Sequence, residues 1–188
     1  MIYHSIADIY DAIDDTRQRL AARVETLSAT QQTFRLSDTA WSIAEIIEHL
    51  SITEERMIQL IGMLLSKTES MTAEKADSSP PPFEPFSLEE MAREAHGKKF
   101  ESPAEVRPAG LLALSDALAK LHSTRAALHA LRPRLAAANL TAVSYPHPFF
   151  GALNLAQWLA FIGLHEERHL RQIERLMETP ESADQAAG

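Results

Sequence analysis

Two histidines four residues apart, His165 and His169 in the stretch HEERH, are the side chains of this sequence best spaced for chemistry. The stretch fits the H-E-x-x-H pattern of zinc metalloproteases. There the histidines hold the metal and the glutamate, here Glu166, takes a proton from water. On a helix the two imidazoles lie about 40° apart, inside an apolar stripe made by Leu155, Trp158, Leu159, Ile162, Ile173 and Leu176. Both therefore face the interior, where an imidazole must find either a hydrogen-bonding partner or a metal. Helical phase places His49 at the edge of another apolar stripe, which permits it as a third ligand without requiring it.

Zinc proteases of this pattern draw a further ligand from downstream, and no histidine follows His169. The stretch after the motif, LRQIERL, has neither glycine nor histidine at metzincin spacing. No alternating strand is evident to border a peptide cleft. The expectation is therefore a metal site that is not a protease.

Composition narrows the alternatives. The chain has 188 residues, a formal net charge of −8 and no cysteine. Thiol nucleophiles, disulfides and iron–sulfur ligation by this chain are excluded, so any metal is held by His, Asp or Glu. Basic residues do not cluster beyond Lys98-Lys99, which argues against a nucleic-acid partner. The N-terminal stretch lacks a charged segment followed by an apolar run, and no segment is apolar enough to span a bilayer. A cytoplasmic protein is expected.

Four segments with 3.6-residue periodicity must position these side chains. The first covers residues 5–27, with Ile6, Ile9, Ile13, Leu20, Val24 and Leu27 on one stripe. The second starts at the capping box S-I-A-E, with Ser42 as N-cap and Glu45 at the third helical position. The third follows Pro108, carries Leu111, Leu114, Leu118, Leu121 and Leu128, and is expected to stop near Leu131, before Pro133. The fourth begins at Asn154 with N-L-A-Q and runs to about Met177. Between the second and third, residues 67–109 contain SSPPPFEPF and a short predicted helix at 87–95. These lengths predict a single all-α domain over residues 1–179: a four-helix bundle with one long crossover and a flexible tail at 180–188.

Charged residues on apolar stripes are further candidates. Glu54 falls near the centre of the second stripe and Arg125 on the third, with His122 and His129 sharing its face. Either Arg125 pairs with Glu54 or Glu166 inside the bundle, or the stripe is half buried and these side chains reach solvent. Residues 145–150, YPHPFF, precede the fourth helix, where they line the site's mouth or plug the bundle end. Phe161 and Leu164 lie outside the core-facing stripe, so either a partner chain covers them, the homodimer expected here, or the crossover does. Trp41, His49 and EER at 54–56 echo Trp158, His165 and EER at 166–168, a match too short to establish duplication.

Over nearly its whole length the chain resembles the DinB-like superfamily of metal-dependent enzymes. WSIAEIIEHLSITEER in the second helix and HPFFGALNLAQWLAFIGLHEERHLRQIERL at the end carry the resemblance, and FESPAEVRPAG before the third helix also fits. The resemblance implies an up-down-down-up bundle in which His49, His165 and His169 bind one divalent metal, most plausibly zinc or nickel. It also implies a thiol transferase, using a low-molecular-weight thiol cosubstrate such as bacillithiol or mycothiol, or a hydrolase acting on a small-molecule substrate. Glu166 and Arg125 are the expected catalytic side chains. A non-catalytic metal-binding protein is the competing reading.

Overall fold

The computed structural model describes residues 1–73, 81–88 and 102–179. Helix α1 spans Ile6–Val24, and a short α2 spans Ala29–Thr33. Helix α3 spans Ile43–Ala73, α4 Leu114–Ala137 and α5 Leu155–Met177. Local sequence explains where they begin. The Ser5 hydroxyl accepts from the Asp8 amide to cap α1. Ser42 and Glu45 form the reciprocal capping box that starts α3, and Asn154 and Gln157 do the same for α5. Each box satisfies two amides that a helix start leaves without partners.

The long helices form a four-helix bundle. Lys120 pairs with Glu55 and Arg134 with Glu69, so α3 and α4 run parallel. Arg17 meets Glu166 while Gly163 lies against Ile13, so α1 and α5 also run parallel. The order is up-down-down-up, and the parallel α3–α4 pair is what demands a long crossover. A Cβ on Gly163 would sit 2.8 Å from Ile13 Cγ2. The closest approach of α1 and α5 thus depends on that missing side chain.

Four expectations need correction. First, α4 does not stop before Pro133 but continues through it to Ala137. The proline forfeits one bond to the His129 carbonyl, while the extra turn buries Leu135 completely. Second, α4 begins at Leu114, leaving Leu111 85% exposed and off the core stripe. Third, a two-stranded antiparallel hairpin is present, β1 Ser144–His147 with β2 Gly151–Asn154. Its reversal depends on Gly151, whose φ of +72° is costly for any residue with a Cβ. Fourth, Phe161 does not lie outside the core but is buried under this hairpin. Its ring lies 4.5 Å from His147 and 5.6 Å from Phe150, and Leu164 packs against the same core. The predicted short helix at 87–95 falls mostly outside the described residues, and the tail at 180–188 wholly so. Among the described residues no helix is long and apolar enough to cross a membrane.

Two hydrophobic clusters fill the bundle. One, around Tyr10, Ile13, Ile61, Leu128, Leu135 and Leu159, lies toward the hairpin end. The other, around Leu20, Ile46, Ile47, Leu121 and Ile173, lies toward the opposite end. What separates them is polar.

Candidate metal centre

The charged layer between the two cores takes one side chain from each long helix. Arg17 of α1 donates to Glu54 of α3 and, at 2.5 Å, to Glu166 of α5. Arg125 of α4 donates to Glu54 at 3.2 Å and to Glu166 at 2.9 Å. Two positive and two negative groups form a closed quartet, every member below a tenth exposed. The arginines have donors to spare. Arg17 also reaches the Leu121 carbonyl at 2.6 Å, and Arg125 the Ile13 carbonyl at 2.6 Å and the partly exposed Asp14 at 3.1 Å. Burial works against the Arg125 charge, but Glu54 and Glu166 outweigh it and raise its pKa.

Of the two sequence alternatives for Arg125, pairing inside the bundle is the observed one, with both Glu54 and Glu166. His122 is exposed, and His129 instead lies 3.1 Å from Asp14. Arg17 was missed. A signal existed, because the α1 stripe of Ile6, Ile9, Ile13, Leu20 and Val24 skips one turn, and Arg17 fills the gap.

Immediately toward the second core, three imidazoles converge. His49 comes from α3 and is 1% exposed; His169 from α5 is 2% exposed; His165 is partly exposed. Ring centroids are 5.2 Å apart for His49 and His165, 4.9 Å for His49 and His169, and 4.7 Å for His165 and His169. One nitrogen from each ring falls within 4.8 Å of the others. The edge position that phase assigns to His49 is a buried one, because α5 packs against that edge and Trp41 stacks on the ring at 4.8 Å.

Hydrogen bonds fix which nitrogens face inward. His49 Nδ1 lies 2.6 Å from the Val106 carbonyl, which can only accept, so Nδ1 carries the proton. His169 Nδ1 lies 2.9 Å from the Gln172 side-chain oxygen, an acceptor that favours the same tautomer. Both Nε2 atoms therefore point lone pairs toward the shared centre. His49 Nε2 meets His165 Nε2 at 3.3 Å, whereas His169 Nε2 is buried with no hydrogen-bond partner among the described residues. Val106 and Gln172 are the outer contacts that orient metal-binding imidazoles. Gln172 belongs to an H-x-x-Q spacing visible in sequence; a loop carbonyl such as that of Val106 has no sequence signature.

Electrostatics keep these rings neutral. Burial pushes the His169 pKa down to about 3, with the His49 and Arg168 charges adding to it against the Gln172 hydrogen bond. Burial also lowers His49, opposed by its bond to Val106. His165 falls well below the ordinary value through burial and then the neighbouring His169 and His49. Three neutral imidazoles with one nitrogen each within 4.8 Å of the others are a donor set suited to zinc, nickel or copper, and His169 Nε2 is the atom such an ion would satisfy.

A model of the DinB superfamily matches residues 12–173. The chain belongs to the DinB superfamily. A relative, the uncharacterized protein YuaE of Bacillus subtilis, is 29% identical over 169 residues, covering 86% of this chain and 96% of its own. Two solved structures share the fold. TT2238, described as a four-helix bundle protein, matches with a TM-score of 0.57 at 21% identity, over 91% of this chain and 99% of its own. YfiT from Bacillus subtilis is described as a probable metal-dependent hydrolase with an unusual four-helix bundle topology. It matches with a TM-score of 0.59 at 15% identity, over 91% of this chain and 85% of its own. In this DinB protein the glutamate of HEERH is not free beside the histidines, since both its oxygens are held by arginines.

Proposed function

We propose that this protein is an enzyme that uses one divalent metal, zinc or nickel, held by His49, His165 and His169, to act on a small molecule. The observation that carries this reading is the convergence of three imidazole nitrogens within 4.8 Å, of which His169 Nε2 is buried with no hydrogen-bond partner among the described residues. A buried polar atom left unsatisfied costs on the order of 1–3 kcal/mol, which binding of an ion at that point removes. The description of YfiT as a probable metal-dependent hydrolase supports the same class.

Three protein ligands leave at least one coordination position for water or substrate. When bound there, a divalent ion supplies Lewis acidity that lowers the pKa of a coordinated water or thiol. The chain's own residues do the rest. Val106 and Gln172 hold two rings in the binding tautomer, and burial keeps them deprotonated at neutral pH.

Between hydrolysis and thiol transfer, one observation favours transfer. Glu166 is committed to Arg17 and Arg125, so the motif supplies no free carboxylate to deprotonate water. A low-molecular-weight thiol brings its own nucleophile and needs no such base. On this reading Glu166 and Arg125 act by fixing the helices that carry the histidines, and peptide hydrolysis is not expected.

Metal content of purified protein, followed by assays with model esters and with a thiol plus a model electrophile, tests the proposal. Turnover requiring both metal and thiol supports transfer, and turnover with water alone supports hydrolysis. Stoichiometric metal without turnover would favour a non-catalytic metal-binding protein.

A further inference from the structure

The Val106 carbonyl that orients His49 belongs to a segment with almost nothing apolar to hold it. From residue 102 to 113 no side chain is buried, and only a three-residue 3-10 turn, Ala104–Val106, is regular. Loops with so little buried surface detach easily. Yet Val106 is 2.6 Å from the His49 ring. A different contact has to hold the segment in place.

That contact is Glu48, the residue before His49 in α3. It is 4% exposed and forms no ion pair among the described residues; both its oxygens accept backbone amides instead. The Ala109 amide donates at 3.2 Å and the Gly110 amide at 2.9 Å. Hydrogen bonds to an ionised acceptor are about twice as strong as neutral ones, and these two fall three and four residues beyond Val106. Gly110 has a φ of +70°, and a Cβ there would lie 3.1 Å from a Glu45 oxygen, so the backbone needs glycine to approach α3 this closely. Thr53 completes the arrangement. Its hydroxyl donates to the His49 carbonyl at 2.8 Å and lies 3.4 Å from Nδ1, where it can only accept.

We propose that Glu48 is a positioning residue for the metal centre: it clasps the end of the crossover so that the Val106 carbonyl holds His49 with Nε2 toward the ion. The proposal rests on the three-histidine metal reading. Coupling runs in both directions, because any effect of the clasp on metal affinity is matched by an equal effect of metal on the clasp. Metal at Nε2 polarises the ring and strengthens the Nδ1–H bond to Val106, so occupancy tightens the crossover against α3.

The test uses the full chain and Glu48→Ala, with Glu48→Gln as the milder variant that keeps one acceptor should the first fail to fold. Zinc affinity, read by competition with a chromophoric chelator, should fall about 10–100-fold in Glu48→Ala and less in Glu48→Gln. Hydrogen exchange at the Ala109 and Gly110 amides should slow on adding zinc to wild type and should not respond in Glu48→Ala. Affinity within twofold of wild type in both variants, or exchange at these amides indifferent to zinc, overturns the proposal. If wild type binds no zinc, the metal reading fails, and the clasp is judged on metal-free protein by the His49 ring nitrogen resonances. There the Nδ1–H tautomer should dominate in wild type and give way to mixed tautomers in Glu48→Ala; identical spectra overturn it.

Discussion

The ionic quartet and the histidine cluster sit side by side on α5, at Glu166 and His165, and both put buried polar chemistry inside the bundle. They handle it in opposite ways. The quartet keeps its charges and cancels them, each carboxylate meeting two guanidiniums. The cluster sheds its charges, with burial driving the imidazoles to the neutral form. One region is complete in itself. The other has a buried nitrogen without a partner. Of two buried polar groups in one bundle, the one left unsatisfied is the one that points to a ligand.

If the quartet is a closed unit, removing one member should be the most damaging change. Arg17→Ala leaves Glu54 and Glu166 to share Arg125, and breaking a buried pair in this way costs about 3–5 kcal/mol. For a chain of this length that corresponds to a melting temperature lower by roughly 10 °C. Denaturant unfolding showing a loss below about 1 kcal/mol would break the contrast, since the quartet would then not depend on charge cancellation.

The cluster should behave differently, with its main loss in metal. At zinc concentrations 100 times Kd, wild type should gain about 2.7 kcal/mol of stability from binding. His169→Ala and His165→Ala should lose that gain, and elemental analysis should find them depleted. Full occupancy in either variant would sink the three-histidine assignment.

Glu166→Gln probes the boundary between the regions. It removes one charge from the quartet and touches no ligand, so the expected cost is about 1–3 kcal/mol with metal retained. Turnover should fall partially, about 10–100-fold, as for a residue acting through the ligands it supports. Cleavage of a general protein substrate by wild type, abolished in this variant, would instead restore the metalloprotease reading.

The last contrast is in pH. A histidine whose folded pKa is depressed contributes stability that is full above its unfolded value, about 6.5. That contribution is lost as pH falls toward the folded value, about 3 for His169 and about 4 for His147, because only the unfolded chain takes up the proton in that window. Metal-free protein should therefore lose stability progressively from about pH 6.5 downward in thermal melts. His169→Ala should show a shallower decline. Equal slopes in the two proteins would mean that His169 is not held neutral by the fold.

Much of this was legible in the residue string. Capping boxes at Ser42 and Asn154 set two helix starts to the residue, because capping is local chemistry between neighbours three apart. Periodicity found the four stripes and loop lengths anticipated the long crossover, while the parallel pair was implied by the family resemblance. The inward phase of His165 and His169 was readable because both lie on one regular helix. Resemblance to a family, rather than spacing, brought His49 to the same site.

Tertiary structure decided the rest, wherever the controlling contact is remote in sequence. Pro133 reads as a stop by backbone chemistry, and burial of Leu135 overrides it. Arg17 occupies a gap in the α1 stripe, but only the packing of three other helices brings Glu54, Arg125 and Glu166 around it. The Val106 carbonyl and the Glu48 clasp cannot be seen in the sequence, because any residue presents the same backbone atoms. The sequence by itself determined which faces of which helices are buried and which side chains could ligate. Only the packing of four helices and the docking of the crossover decided which lone pairs converge, since a hydrogen bond across 57 residues depends on three-dimensional approach rather than on period or propensity.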